Sequence, residues 1–181
     1  MASVLLPETP GELEHAMIYL ALDVGEKRIG VAVSDETETL ASPRTIIRRS
    51  STASALEAVA RLIAETGAEV VVVGLPVSFD GQLYGQARAI QGFAAKLRKR
   101  ITQPVVFADE TLSSVRAEEA LRAAGVRPER IHERLDAAAA AIILQDYLDA
   151  RARGETPQFM DTSSPVDGGS VVERSGDAVE E

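Results

Sequence analysis

Residues 17–34 point to the fold of this chain: Met17-Ile-Tyr-Leu-Ala-Leu-Asp-Val-Gly-Glu-Lys-Arg-Ile-Gly-Val-Ala-Val-Ser34. The first seven residues form an apolar run that closes on Asp23, and an alternating apolar segment begins at Arg28. Gly25 lies in the short link between them, where a tight turn is needed. Two short apolar segments joined in this way predict a β-hairpin.

The segments that follow alternate between strand and helix patterns. Apolar residues at helical spacing predict helices, a β-branched run predicts a strand covered on both faces, and Gly67 is a good stop for the first helix. The predicted elements after the hairpin are a strand within Thr39–Ile47, helix Thr52–Thr66, strand Glu69–Gly74, helix Gly85–Ile101, strand Pro104–Ala108, helix Ser113–Ala124 and helix Asp136–Ala150. A three-strand meander followed by alternating helices and strands predicts an α/β fold whose mixed sheet is covered by helices.

The charge of the chain is unevenly distributed. The 181 residues carry 19 Lys and Arg against 28 Asp and Glu, a formal net charge of −9. Residues 1–17 hold three of the acids and no Lys or Arg, and residues 155–181 hold seven acids and one Arg. The region between them is therefore neutral overall, so the acidic balance does not exclude a nucleic-acid partner.

Composition also predicts the domain organisation. Residues 155–181 are rich in Ser, Gly and acids without an apolar period, which predicts a disordered acidic tail. Residues 1–16 are predicted to be a disordered N-terminal extension, and Met17 is a candidate translation start. A single domain is expected over residues 17–154.

Several function classes are excluded at this stage. The chain has no Cys, which excludes disulfides, cysteine-based zinc sites and thiol catalysis, and its two His are too few for most zinc hydrolases. The longest apolar runs, Val70–Val73 and Ala137–Leu144, are far shorter than the ~20 residues of a membrane helix. Residues 1–10 show no signal-peptide pattern. We therefore expect a soluble cytoplasmic protein with no membrane partner.

Acidic residues fall where such a sheet builds a site. Asp23 closes the first strand, Asp109 and Glu110 directly follow the Pro104–Ala108 strand, and Asp136 begins the last predicted helix. Ligands of open α/β sheets bind at the carboxyl ends of strands. Clustered carboxylates repel one another unless a cation neutralises them, and Mg²⁺ prefers oxygen ligands. Because paired metal ions can drive phosphodiester cleavage, this pattern is compatible with a metal-dependent nuclease.

Each acid also has an ordinary structural interpretation. Asp136 could serve only as a helix N-cap, a position that Asp favours. Asp23 could begin a turn, and Glu110 could be an acid of a helix first turn. The sequence alone leaves these alternatives open.

Basic residues are candidate phosphate contacts. Lys27 and Arg28 are the strongest candidates because the turn holds them next to Asp23. Two further clusters, Arg44 with Arg48 and Arg49, and residues 96–100, could also contact phosphates. Cations at a helix C-terminus are favoured by the helix dipole, which favours a structural role for residues 96–100.

Four motifs, in order along the chain, resemble those of the YqgF/RuvX family of pre-16S rRNA nucleases, also called Holliday-junction-resolvase-like proteins. The resemblance covers about Ile18 to Arg151. The motifs are Asp23-Val-Gly-Glu-Lys-Arg-Ile-Gly-Val-Ala-Val-Ser-Asp35, Val73-Gly-Leu-Pro76 with Asp80-Gly81, Asp109-Glu-Thr-Leu-Ser-Ser114 and Leu135-Asp-Ala-Ala-Ala-Ala-Ala-Ile-Ile-Leu-Gln-Asp-Tyr-Leu148.

The resemblance implies a fold and a chemistry. The fold would be RNase H-like, with a five-stranded mixed sheet and helices on both faces. Asp23, Glu110 and Asp136 would be the catalytic acids and would bind Mg²⁺ or Mn²⁺, and the reaction would mature the 5′ end of precursor 16S rRNA. Thr111 stands where the family usually has Arg, a residue that could contact a phosphate or the catalytic carboxylates. Arg116 or Arg134 could replace that contact.

Three other functions stay open. A Holliday-junction resolvase would act on branched DNA and should be a homodimer. An rRNA nuclease could be a monomer or a homodimer, and a ribosomal particle could be its partner. A non-catalytic nucleic-acid-binding ribosome-assembly factor is the second alternative. An actin-like ATP-binding protein is the third, but it would need two such domains around the nucleotide.

Overall fold

The computed structural model describes residues 17–76, 85–110 and 113–155. Five strands and four helices lie in these ranges. They are β1 Tyr19–Val24, β2 Arg28–Ser34, β3 Ala41–Arg48, α1 Thr52–Thr66, β4 Val70–Leu75, α2 Gly85–Arg98, β5 Val105–Asp109, α3 Ser113–Ala123 and α4 Pro128–Ala152. The predicted extension 1–16, the tail beyond Glu155 and the segment 77–84 lie outside the described residues, so the predictions made for them stay predictions.

The strands form one mixed sheet in the order β3-β2-β1-β4-β5. β1 pairs antiparallel with β2, and β2 pairs antiparallel with β3. β4 pairs parallel with both β1 and β5. The predicted meander and the predicted mixed sheet are confirmed. As a result, β1 lies at the centre of the sheet, with the carboxyl ends of β1, β4 and β5 along one edge.

Each face of the sheet is covered by helices. Side chains alternate between the faces of a strand, so Leu20 and Leu22 enter a core that contains residues of α1 and α2. Tyr19 and Ala21 enter a second core, where they meet Ile143 and Leu144 of α4. α3 packs on α4. The expected helical cover on both faces is confirmed.

The boundaries of α1 follow from local chemistry. Ser51 caps its N-terminus: its side chain accepts a hydrogen bond from the backbone N–H of Ser54, and the Ser54 side chain caps the backbone of Ser51 in return. Gly67 ends the helix in the left-handed conformation, at φ 69°, which costs glycine little. Both predicted boundaries of this helix are confirmed.

The predicted start of the last helix is wrong. α4 begins at Pro128, eight residues before Asp136, so Asp136 lies inside the helix and is not its N-cap. Pro128 at the first position needs no N–H partner, and Glu129 lies in the first turn, where an acid complements the helix dipole. Because the helix begins earlier than predicted, Asp136 lies at the point where α4 crosses β2.

Candidate active site

Asp23 lies one residue before the end of the central strand β1, opposite Gly30 of β2. It is a ladder residue and does not begin a turn. Burial, followed by the negative charge of Asp136, raises the pKa of Asp23 to about 6. Burial and a neighbouring acid therefore disfavour the charged form of Asp23, which a bound cation would favour.

Glu110 directly follows β5 and precedes α3. Its backbone N–H donates to the carbonyl of Leu75 (3.3 Å), and its own carbonyl accepts from the N–H of Ser113 (3.0 Å). Glu110 therefore lies between the strand and the helix, outside the first turn of α3. Burial, and after it the charges of Asp23 and Asp109, raises the pKa of Glu110 to about 7.

Gly74 of β4 makes room for the Glu110 side chain. A Cβ atom at position 74 would lie 2.8 Å from Glu110 Oε2 and 2.7 Å from the Cδ1 atom of Ile143. The carboxylate of Glu110 is therefore packed against bare backbone at the carboxyl end of the next strand. The sequence marked Gly74 as the end of a buried strand and as part of a family motif, but neither signal predicted that it makes room for Glu110.

Asp136 reaches the same sheet edge from α4, which crosses β2 at Gly30. A Cβ atom at position 30 would lie 1.9 Å from the carbonyl oxygen of Asp136 and 2.8 Å from the backbone nitrogen of Ala137. Only glycine permits this approach of helix to strand. Because Gly30 pairs with Asp23, the contact places Asp136 beside the central acid.

Arg28 neutralises Asp136 in this structure. Its Nε atom lies 2.7 Å from Asp136 Oδ2, with 45% of the Arg28 side chain and 23% of the Asp136 side chain exposed. The contact is a charge pair without hydrogen-bond geometry, since Oδ2 accepts no hydrogen bond from the described part of the chain. Arg28 therefore has a partner inside the predicted site, while Lys27 is exposed beside it.

A second arginine shapes the turn that carries these cations. Arg49 Nη1 donates to the carbonyl of Gly25 (2.6 Å), and the Arg49 backbone N–H donates to the carbonyl of Lys27 (2.9 Å). The guanidinium also lies over the ring of Phe93, 5.3 Å from its centroid. Arg49 therefore ties the turn to α2, a structural role that the sequence pattern did not separate from phosphate binding.

The three predicted acids are neighbours with Asp23 between the other two. Asp23 interacts electrostatically with Asp136 and with Glu110. Two buried carboxylate oxygens, Glu110 Oε2 and Asp136 Oδ2, accept no hydrogen bond from the described residues. Within residues 17–76, 85–110 and 113–155, however, no three side chains of the metal-ligating types are close enough to hold an ion together.

A hard divalent cation fits the chemistry of this donor set. Carboxylate oxygens are ligands that Mg²⁺ and Mn²⁺ accept, and one of these, Glu110 Oε2, has no partner among the described residues. A cation would stabilise the charged forms that burial and then repulsion disfavour at Asp23 and Glu110. The spacing fits less closely, because Arg28 holds Asp136. Coordination by all three acids would thus require side-chain rotation and release of Asp136 from Arg28.

The usual arginine after the Asp-Glu pair is replaced by Thr111, which lies outside the described residues. Of the two suggested substitutes, Arg116 donates through both Nη atoms to the carboxylate of Asp146. Arg134 of α4 lines an open groove and has no ion pair among the residues that the structure describes. Of the two, Arg134 is therefore the one whose guanidinium is available to another partner.

A five-stranded mixed sheet in this order, covered by helices on both faces, defines an RNase H-like fold. Its acids come from the central strand β1, from the residue after the edge strand β5 and from the last helix. A family model described as RuvX, Holliday junction resolvase, matches residues 17–150. The chain belongs to this family. Its members are nucleases, hydrolases that act on phosphodiester bonds.

Curated relatives agree with this assignment. A protein of Chloroflexus aggregans named "Putative pre-16S rRNA nuclease" is 51% identical over 132 residues, which cover 73% of this chain and 93% of the relative. A relative of the same name from Roseiflexus sp. is 45% identical over 73% of this chain and 94% of its own length. The expected family is therefore confirmed by sequence over residues 17–150.

The RuvC of T. thermophilus in complex with a Holliday junction substrate matches at 18% identity with a TM-score of 0.49, over 75% of this chain and 96% of that chain. The family assignment does not depend on that likeness.

Across the described residues, no helix has the length and apolarity needed to cross a membrane.

Proposed function

We propose that this chain is a metal-dependent nuclease that hydrolyses phosphodiester bonds while maturing the 5′ end of precursor 16S rRNA. The observation that carries the proposal is the grouping of Glu110 and Asp136 around Asp23, with the buried Glu110 Oε2 unsatisfied and Asp136 Oδ2 held only by a charge pair with Arg28. The name of the curated relatives supports the RNA substrate. A cytoplasmic location and a ribosomal particle as the setting belong to the same proposal.

In this proposal Asp23, Glu110 and Asp136 hold Mg²⁺ or Mn²⁺. When bound, the ion supplies an activated water and neutralises charge on the phosphate. Gly74 gives the Glu110 carboxylate its space, and Gly30 lets α4 deliver Asp136. Lys27 and Arg28 bind substrate phosphates, Arg28 after it leaves Asp136.

Cleavage assays test this function directly. A labelled precursor 16S rRNA 5′ fragment and a four-way DNA junction are incubated in parallel with Mg²⁺ or Mn²⁺, using the wild type and Asp23→Asn. We expect RNA cleavage that needs metal and is lost in the variant. Cleavage of the junction alone would favour the second candidate, a resolvase, which the family description supports. Binding of RNA without cleavage by either protein would favour an assembly factor.

The charge pair at Asp136 predicts an effect on metal binding. Arg28→Gln removes the cation that competes for this carboxylate, so we expect divalent metal to bind about two- to fivefold more tightly, the range of a partly exposed ion pair. Calorimetric titration with Mn²⁺ measures the change. Arg122→Gln, which breaks the Arg122–Glu118 pair on α3, is the control and should leave the affinity unchanged. Weaker metal binding by Arg28→Gln would show that Arg28 supports the site.

A further inference from the structure

A groove lies beside the acidic site, between the edge strand β3 and the helices α3 and α4. Its volume is about 420 Å³, and it is lined by residues 43–46 of β3, Leu121 of α3 and four residues of α4. Ile46 pairs with Gly30, the residue on which Asp136 rests, and Ala137 is the next residue of α4. The groove therefore borders the contact between α4 and β2 that carries Asp136.

The charges of the groove suit a polyanion. Arg44 and Arg134 line it, both are exposed, and neither forms an ion pair or hydrogen bond among the residues that the structure describes. Glu133 is the acid in the lining, so the two cations outnumber it. Nearby arginines differ: Arg28 is held by Asp136, and Arg116 by Asp146. Arg44 and Arg134 thus remain available to phosphates.

The walls of the groove suit a single nucleotide better than a duplex. Pro43, Ile46, Leu121 and two alanines of α4 give it apolar surface between the two arginines. Its volume lies in the range of pockets that take one small-molecule-sized group, roughly 300–1,000 Å³. A paired helix would be too wide to enter, whereas one unpaired nucleotide could place its base and ribose against these walls and its phosphates on the arginines.

We propose that this groove holds an unpaired nucleotide of the substrate RNA next to the scissile phosphate, with Arg44 and Arg134 binding the flanking phosphates. The inference rests on the proposed nuclease function and adds the path of the strand. It also lets Arg134 supply a phosphate contact, one of the two contacts that an arginine at position 111 could make. The required substrate feature is a single-stranded segment at the cleavage site.

Binding of a fluorescein-labelled single-stranded precursor fragment to the full chain, without divalent metal so that no cleavage occurs, tests the groove. We expect Arg44→Gln and Arg134→Gln each to weaken binding about three- to tenfold and to lower the slope of log affinity against log salt by about 0.7. Glu133→Gln should strengthen binding about two- to threefold. A fully paired hairpin of the same length should bind these variants and the wild type alike.

Arg61→Gln is the matched control, because it removes the same charge from the exposed surface of α1, on the opposite face of the sheet. It should bind as the wild type does. Unchanged affinity and salt slope in both groove variants, or an equal loss for the paired hairpin, would overturn the proposal. If binding depends on the groove but no cleavage follows the addition of Mn²⁺, the groove proposal stands and the nuclease proposal fails. If the groove variants cleave as the wild type does, the nuclease proposal stands and the groove proposal fails.

Discussion

We expect the Glu110→Gln variant to lose RNA cleavage by more than about 100-fold and yet, without divalent metal, to unfold at a higher temperature than the wild type. Removing even an outer partner of a metal ligand costs about 10–100-fold in affinity or activity, so loss of the ligand itself should cost more. The gain in stability has a separate cause. Without metal, the half-buried Glu110 carboxylate lies near Asp23 and Asp109 with its buried Oε2 unsatisfied, and glutamine carries no charge there.

The pH dependence of this gain follows from the raised pKa. The folded protein keeps a proton on Glu110 up to about pH 7, whereas the unfolded chain releases it near the ordinary value of 4.5. The wild type therefore loses stability as the pH rises from about 4.5 to about 7, and the penalty is complete above that range. Glu110→Gln removes the penalty, so its advantage should be near zero at pH 4.5 and about 1–2 kcal/mol at pH 8, allowing for partial solvent exposure.

Thermal melts in EDTA at pH 5 and pH 8, with cleavage assays on the same preparations, measure both effects. Glu118→Gln is the control, since Glu118 is a half-exposed partner of Arg122 on α3. It should keep full activity and show no gain at pH 8. A Glu110→Gln protein that melts below the wild type at pH 8 would mean that the carboxylate is stabilised in the folded state, contrary to this account.

The second large effect is expected for Gly30→Ala, which should destabilise the protein by at least about 3 kcal/mol and abolish cleavage. The added methyl group would lie 1.9 Å from the carbonyl oxygen of Asp136, and the obstruction is backbone, which no side-chain rotation can relieve. Strand and helix must separate, at the upper end of the cost of overpacking a core. The same separation would carry Asp136 away from Asp23.

Urea unfolding with a Gly92→Ala control measures this cost. Gly92 lies inside α2, is exposed, and has open space where a Cβ would be. Alanine there should stabilise the protein by about 0.5–1 kcal/mol, because it lowers the conformational entropy of the unfolded chain and favours the helix. If alanine lowers the free energy of unfolding at position 30 and raises it at position 92, the loss at position 30 arises from the contact between α4 and β2. A Gly30→Ala protein as stable as the wild type would refute that contact.

Local patterns predicted most of the fold. The alternation of Arg28–Ser34 and the capped, Gly-terminated Thr52–Thr66 segment gave correct boundaries because their signals lie within a few residues of each other. The start of α4 was misplaced because the alanine-rich stretch after Asp136 dominates the pattern. The Pro128-Glu129 signal was available in the sequence and marks the true start.

The candidate site was predictable as a set of residue types but not as a geometry. Topology alone places Asp23 and Glu110 at one sheet edge. The contact of Asp136 with Gly30 and the charge pair of Asp136 with Arg28 join residues more than 100 positions apart, and no local period encodes such contacts. For the same reason the groove between β3 and α4 became visible only in three dimensions.

The central claim is that Asp23, Glu110 and Asp136 act together as one divalent-metal centre. Calorimetric titration with Mn²⁺ of the wild type and of Asp23→Asn, Glu110→Gln and Asp136→Asn tests it most directly, with Asp146→Asn, on the same helix but paired with Arg116, as the control. The account predicts binding by the wild type and the control, and at least about tenfold weaker binding by each of the three variants. Equal affinity in all five proteins, or no binding by the wild type, would contradict it.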